Sequence, residues 1–197
     1  MEQVHKTISY QSVEEYFVLR SASEARYEYD NGVISKVSPA GIRHREILTN
    51  LSDFFQGGAR GKNCDLWIEN ACIEVLKDRK YYCPDLALSV HSSDSPSAKI
   101  IRHPALLIEV GSSSARPSRY PRKFTYYLQI PSLKYYLAVD QQQCRVEFYS
   151  RSNNSTWFYQ LYERPVDTIR CPTLDIVLAL SDIYKNIRFD TKYTDEY

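Results

Sequence analysis

The chain has 197 residues, of which 43% are hydrophobic and 25% charged, and its formal net charge is +1. This composition is ordinary for a globular protein. The length suffices for one domain, which we expect at 1–197, with a core at about 12–180 and a frayed tail at 188–197. A net charge near zero excludes a global field that draws the protein onto nucleic acid or membrane, so any nucleic-acid surface is a local patch.

The sequence predicts a cytoplasmic protein without membrane contact. Its longest apolar runs, LALSV and ALLIEV, are far too short to span a bilayer, and the N-terminus lacks the apolar centre of a signal peptide. The five cysteines are odd in number and scattered, without a Cys-x-x-Cys pair. That pattern argues against a disulfide framework or a structural zinc site, and for a reducing compartment.

The N-terminal part is typical of two helices around a hairpin. Residues 12–23 predict a helix, since Ser12 and Glu15 form a capping box before an apolar side. Residues 26–38 alternate in polarity around an Asp-Asn-Gly turn, which predicts a hairpin. Residues 40–56 place apolar side chains at helical spacing and are followed by glycines, so a second helix is expected there.

The rest of the chain is richer in predicted strands. Residues 65–76 supply one or two strands, and 146–163 form a hairpin. Residues 168–180 are a short strand and then an apolar stretch, LDIVLAL, that could begin the last helix. The fold class is therefore α/β, with more strand than helix. Central strands are expected near 82–90, 104–110, 134–139 and 144–149, with the main helices near 42–56 and 116–130.

Two acids stand in apolar strands of this central part. Asp85 opens the run PDLALSV, and Glu109 lies near the end of ALLIEV. An ionised, unpaired acid in such surroundings is costly, so something has to compensate it. If the two strands pair antiparallel, both acids lie at the same end of the sheet. Lys123 follows on the next helix, and two carboxylates with an amine suit a divalent metal and a phosphodiester.

Each of these residues also has a purely structural interpretation. Asp85 follows Pro84 and fits a strand-start aspartate, while Lys123 fits an exposed lysine at the border of an apolar helix face. Taken together, Asp85 and Glu109 favour a metal site, with both as ligands of Mg²⁺ or Mn²⁺. Two acids this close repel each other, so without metal at least one pKa is expected to be raised.

Several segments together resemble a known family. They are RYEYDNG, PDLALSV, ALLIEVGSSS and KFTYYLQIPSLKYYLAVD, and their order is more specific than any one of them. Over about 12–180 the chain resembles the Uma family of restriction-endonuclease-like proteins, a domain of unknown function within the PD-(D/E)XK nuclease superfamily. The resemblance implies a restriction-endonuclease-like core: a mixed central sheet flanked by helices, with an acidic site at a sheet edge.

The resemblance also implies a catalytic set of four residues. Asp85 matches the PD aspartate and Glu109 the second acid, and both are the implied metal ligands. Glu28, in the RYE segment, matches a further acidic position, although taken alone it fits an exposed hairpin residue equally well. The lysine of the family is displaced onto the following helix, where Lys123 stands, and Gly111 occupies its ordinary place.

Basic residues near this set are candidates for contacts with a phosphate backbone. Arg43 and His44 lie on the second predicted helix, where a solvated helix face is the favoured interpretation of His44 and phosphate contact is the alternative. A further cluster beside Lys123 could grip phosphates or form a solvated helix side. It consists of Arg116, Arg119 and Arg122.

Two functions stay open at this point. The first is a nuclease that hydrolyses DNA with Mg²⁺ or Mn²⁺, and it is favoured by the intact Asp85, Glu109 and Lys123. The second is a module of the same fold that has lost the chemistry and binds nucleic acid or a protein partner. It is favoured by the altered loop at 111–121, with Arg119 where the family has an aspartate. Tyrosine-rich strands such as VEFYSR and STWFYQLY also predict a homodimer, because aromatic residues are enriched in interfaces.

Overall fold

A computed structural model describes residues 11–38, 41–59, 64–69, 72–94, 100–111, 120–153 and 156–189. The helices are α1 (Val13–Ser21), α2 (Ile42–Phe54), α3 (Tyr120–Tyr127) and α4 (Leu180–Ile183). The strands of the first part are β1 (Tyr27–Asp30), β2 (Val33–Lys36), β3 (Asp65–Ile68), β4 (Ile73–Leu76), β5 (Lys80–Tyr82) and β6 (Leu86–Ser89). Those that follow are β7 (Pro104–Gly111), β8 (Tyr135–Asp140), β9 (Val146–Arg151), β10 (Trp157–Tyr162), β11 (Thr168–Cys171) and β12 (Ile176–Ala179).

Two local predictions near the N-terminus are confirmed. The Ser12 side chain accepts a hydrogen bond from the Glu15 amide, and the Glu15 carboxylate accepts one from the Ser12 amide, which is a capping box for α1. β1 and β2 pair antiparallel around Asn31 and Gly32, whose φ values are 49° and 90°. Asn and Gly suit this hairpin turn because both tolerate the left-handed region.

The largest sheet has six strands in the order β10-β9-β8-β7-β6-β3. β7 and β8 run parallel, and every other neighbouring pair in this sheet is antiparallel. A parallel pair needs a crossover connection, and α3 lies in it. The expected α/β fold with a mixed central sheet flanked by helices is therefore confirmed.

Apolar side chains cover both faces of this sheet. One face packs against α2, α4 and the two-stranded sheet of β11 and β12, in a core that includes Ile47, Leu51, Ile108 and Ile183. The opposite face packs against α3 through residues such as Leu107 and Tyr127. β7 is central, and every residue from Pro104 to Val110 is buried. An acid on this strand is consequently held away from bulk water.

The prediction of a single strand at 82–90 is wrong. The chain leaves β5 at Tyr82, in a four-stranded sheet of order β2-β1-β5-β4, and enters the six-stranded sheet only at Leu86. Pro84 accounts for the break, because proline fixes φ and has no N–H for a strand ladder. Asp85 therefore lies at the step between two sheets, where groups from both can reach it.

The helix suggested for LDIVLAL is wrong over most of that stretch. Residues Ile176–Ala179 form β12, which pairs with β11 and alternates buried and exposed side chains, and only Leu180–Ile183 are helical. The composition of a short apolar run does not separate a strand from a helix. The start of the helix predicted at 116–130 and the end of the predicted tail, at 190–197, lie outside the described residues.

Two findings concern membrane-spanning helices and the state of the cysteines. In the part of the chain that the structure describes, no helix is long and apolar enough to cross a membrane. No disulfide links the five cysteines, all of which lie in the described ranges, and four of them are buried.

Candidate functional site

Asp85 and Glu109 lie at the same end of the six-stranded sheet. β6 and β7 pair antiparallel with Leu86 opposite Ile108, so the next position of the ladder brings Asp85 beside Glu109. Only 6% of the surface of Asp85 and 9% of that of Glu109 is exposed. Two carboxylates at one buried sheet end influence each other's protonation, and Asp85 contributes to the raised pKa of Glu109.

Asp85 is held by donors from three parts of the chain. Its Oδ1 accepts from both terminal nitrogens of Arg26, at 3.3 and 3.4 Å. Its Oδ2 accepts from the Val110 amide at 2.8 Å and lies 3.1 Å from Nε2 of His44. Burial alone would raise the pKa of Asp85, but His44, the Val110 amide and Arg26 outweigh it and lower the pKa. Asp85 is thus the ionised member of the acid pair.

Glu109 is the member that retains a proton more readily. Burial raises its pKa to about 7, which Lys123 opposes and Asp85 and Glu28 reinforce. Its Oε1 accepts a hydrogen bond from the Tyr127 hydroxyl at 3.1 Å, which also opposes the rise. The expectation of one raised pKa in this pair is confirmed, although burial rather than mutual repulsion is the main cause.

Lys123 and Glu28 form an ion pair next to these acids. Oε1 of Glu28 accepts from Nζ of Lys123 and also from the Cys83 amide, the latter at 3.1 Å. Glu28 is only 6% exposed, so its interpretation as an exposed hairpin residue is wrong. Burial alone would lower the pKa of Lys123, but Glu109 and Glu28 outweigh it and the pKa is raised. The site therefore contains a half-buried, charged amine, and the exposed-lysine interpretation of Lys123 is also wrong.

The solvated helix face predicted for His44 is wrong as well. His44 lies in the first turn of α2, is 8% exposed and points its Nε2 at Asp85. Arg43, its neighbour on the same turn, is half-buried. Of the other basic candidates, Arg116 and Arg119 lie outside the described residues, and only the backbone of Arg122 is described, within α3.

Two residues of this site were not singled out from the sequence as site residues. Arg26 precedes β1 and, besides Asp85, its Nη2 donates to the carbonyl oxygens of Cys83 and Pro84 at 2.8 and 3.1 Å. Its position two residues before Glu28 is a signal that could have been used, since alternate residues of an extended segment share a face. Tyr127 stands four residues after Lys123, on the same face of α3, which is the corresponding signal for a helix.

The donor set fits a hard divalent cation. Carboxylate oxygens are its preferred ligands, and Mg²⁺ in proteins is commonly held by one or two carboxylates, with water and substrate phosphate completing the shell. Among the described residues no group of three His, Cys, Asp or Glu side chains is arranged to hold a metal ion by itself. Asp85 and Glu109 thus suit a cation that protein, water and substrate bind jointly.

The proteins similar to this chain include one of known crystal structure and two uncharacterized proteins. The crystal structure of a putative nuclease belonging to DUF820 from Anabaena variabilis superposes with a TM-score of 0.65 and 15% identity, over 88% of this chain and 97% of that one. At this identity the likeness concerns the fold alone. Two uncharacterized proteins of Synechocystis sp. are each 25% identical to the chain. One match covers 90% of this chain and 93% of the relative, the other 73% and 82%.

A family model also matches the chain, over residues 13–181. That range begins with α1 and ends within α4, and it includes the segments that carry Glu28, Asp85, Glu109 and Lys123. The match extends over most of the sequence, so it does not depend on one motif. The chain belongs to the Uma2 family, described as putative restriction endonucleases.

Proposed function

We propose that the protein is a nuclease that hydrolyses phosphodiester bonds of DNA with Mg²⁺ or Mn²⁺ at Asp85 and Glu109. The observation that carries the proposal is the pair of buried carboxylates at one sheet end, with the amine of Lys123 beside them. Membership of a family described as putative restriction endonucleases points to the same chemistry. A cation bound there would polarise the phosphodiester and lower the pKa of a bound water.

The side chains of the protein have separable tasks in this proposal. Lys123, kept charged by Glu109 and Glu28, stabilises the negative charge that develops on the phosphoryl oxygens. Glu28 fixes the position of that amine through its ion pair. Tyr127 donates to Oε1 of Glu109 and so sets the orientation of this carboxylate. Arg26 and the Val110 amide perform the same task for Asp85.

Nicking of supercoiled plasmid in Mg²⁺ and in Mn²⁺ tests the proposal. Wild type is expected to convert supercoiled to open-circular DNA, and Asp85→Ala and Glu109→Ala are each expected to lose this activity. The matched control is Glu46→Ala, since Glu46 is an exposed acid on α2. Absence of cleavage by folded wild type would contradict the proposal, and cleavage that survives both substitutions would assign the activity to a contaminant or another site.

A binding module without catalysis is the second candidate, and one observation favours it. Both oxygens of Asp85 already accept from protein donors, which is also how a purely structural buried acid is satisfied. Under this alternative, wild type binds DNA without cleaving it, and Asp85→Ala lowers stability without changing DNA affinity. The nicking assay combined with a gel-shift assay separates the two functions.

We further propose that the protein acts in the cytoplasm as a homodimer joined through β10. β10 is the terminal strand of the six-stranded sheet in the described part of the chain, and it carries exposed apolar side chains without any charge. These are Phe158, Tyr159 and Leu161, with 57%, 51% and 39% exposed. An unprotected edge of this kind is a template for pairing with another strand, here that of a second copy. Cysteines that form no disulfide in the described part of the chain suit the reducing cytoplasm.

Light scattering at micromolar concentration is expected to give the mass of a dimer for wild type. The double substitution Phe158→Glu and Leu161→Glu is expected to give a monomer, because it places like charges on the paired edge. Val166→Glu is the matched control, since Val166 is 80% exposed and follows β10. A monomeric wild type, or a double variant that stays dimeric, would contradict this interface.

A further inference from the structure

The Asp85 carboxylate has no spare acceptor position in this structure. Arg26 supplies two donors to Oδ1, at 3.3 and 3.4 Å, while the Val110 amide and Nε2 of His44 face Oδ2, at 2.8 and 3.1 Å. An ionised carboxylate offers about four lone-pair sites, which these four donors occupy. A cation that binds Asp85 therefore has to displace at least one donor.

The donors differ in how firmly each is anchored. The Val110 amide belongs to β7, the central strand, and cannot move without breaking the sheet. Arg26 is tied down by further bonds from Nη2 to the carbonyl oxygens of Cys83 and Pro84. His44 faces Asp85 through Nε2, whereas its Nδ1 is buried and has no hydrogen-bond partner among the described residues. His44 is consequently the donor that is released most easily.

The unpaired Nδ1 of His44 also indicates that this histidine is a donor to Asp85 and not a second ligand of the cation. A histidine that ligates a metal through one ring nitrogen nearly always donates the other N–H to a carboxylate, a carbonyl or water. Ligation through Nε2 of His44 would leave an N–H on the buried Nδ1, for which the described residues offer no acceptor. With the proton on Nε2, the ring donates to Asp85 and no buried N–H is left unpaired.

We propose that His44 is a positioning residue that competes with the cation for Asp85 and has to leave Oδ2 before the site is complete. The inference rests on the cation site of the proposed function and assigns that site a resting, cation-excluding state. Protein alone then binds the cation weakly. Tight binding requires DNA, whose phosphate adds ligands to the cation and offsets the loss of the His44 contact.

Titration of the DNA-free protein with Mn²⁺, followed by electron paramagnetic resonance, tests this competition. His44→Ala is expected to bind Mn²⁺ about five- to tenfold more tightly than wild type, the equivalent of one hydrogen bond to Asp85. His44→Gln is expected to restore the wild-type affinity, since its amide N–H can reach the place of Nε2. Arg45→Ala, an exposed neighbour on α2, is the control that should change nothing.

Unchanged or weaker Mn²⁺ binding by His44→Ala would overturn the inference, and a large loss would make His44 a ligand instead. Because His44 is buried, melting of every variant is measured. If the alanine variant does not fold, His44→Asn is used, since its side chain is too short to reach Asp85.

A protein that binds Mn²⁺ with the expected affinities yet cuts no DNA would contradict the proposed function and leave this inference intact. Equal Mn²⁺ affinities of wild type and His44→Ala, in a protein that cuts DNA, would overturn this inference and support the proposed function. The absence of Mn²⁺ binding in every variant would also overturn the inference.

Discussion

Replacing Lys123 by methionine is expected to reduce the rate of DNA cleavage by about 10²- to 10³-fold, the usual effect of removing one hydrogen-bond donor to a developing oxyanion. Methionine keeps most of the length and the apolar contacts of the lysine stem and removes the charged amine with its N–H donors. The loss is expected mainly in kcat, because Lys123 acts on charge that appears during the reaction. Its ion pair with Glu28 also disappears, so Glu28 is left as a buried acid without its cation.

Lys185→Met is the matched control, since Lys185 is exposed and follows α4. Single-turnover cleavage of a labelled duplex, with excess enzyme and saturating Mg²⁺, measures the effect free of product release. A Lys123→Met variant with wild-type single-turnover rates would remove Lys123 from the catalytic set. An equal loss in both lysine variants would indicate a general effect of charge on DNA binding.

Glu109→Gln is expected to make the stability of the cation-free protein less dependent on pH. The pKa of Glu109 is raised by burial from 4.5 to about 7, so between these values the folded protein holds a proton that the unfolded chain has released. The stabilisation of the folded state by the proton on Glu109 is complete below pH 4.5, and it is lost as the pH rises from 4.5 to about 7. The loss is on the order of 3 kcal/mol, because one pKa unit corresponds to about 1.4 kcal/mol.

Urea unfolding in the presence of a chelator measures this effect between pH 4.5 and 8. The difference in unfolding free energy, Glu109→Gln minus wild type, is expected to grow as the pH rises to 7 and then to stay constant, because glutamine is neutral throughout. Glu46→Gln, an exposed acid on α2, is expected to follow wild type. A constant difference across the whole range would mean that Glu109 titrates like an exposed glutamate.

The positions of the two acids at strand ends could be predicted because each acid stands in or before a run of apolar residues. Glu109 lies in a continuous apolar run, which is typical of a central strand, and the structure buries that run in β7. Asp85 follows a proline and begins another apolar run. From the sequence, the antiparallel pairing of these strands, which brings the acids to one end, is only a condition, and the structure has that pairing.

The partners of the acids could not be predicted, because they come from distant segments. His44 stands between two arginines on a helix, and this pattern is typical of a solvated face. Only the packing of α2 against the sheet turns His44 towards Asp85. Arg26 meets Asp85 because the chain steps from one sheet to the other at Cys83 and Pro84. Sequence periodicity carries information on burial along one element, but not on which elements meet.

Anomalous diffraction at the manganese edge tests the cation site most directly. Crystals of the Lys123→Met variant with a short DNA duplex and Mn²⁺ are suited to it, because both carboxylates are retained and cleavage is slow. A nuclease centre at this sheet end predicts one anomalous peak within about 2.5 Å of an oxygen of Asp85 and of an oxygen of Glu109. The same crystals are expected to show His44 withdrawn from Oδ2 of Asp85. An anomalous peak elsewhere, or bound DNA with no peak between these two carboxylates, would contradict a cation site at Asp85 and Glu109.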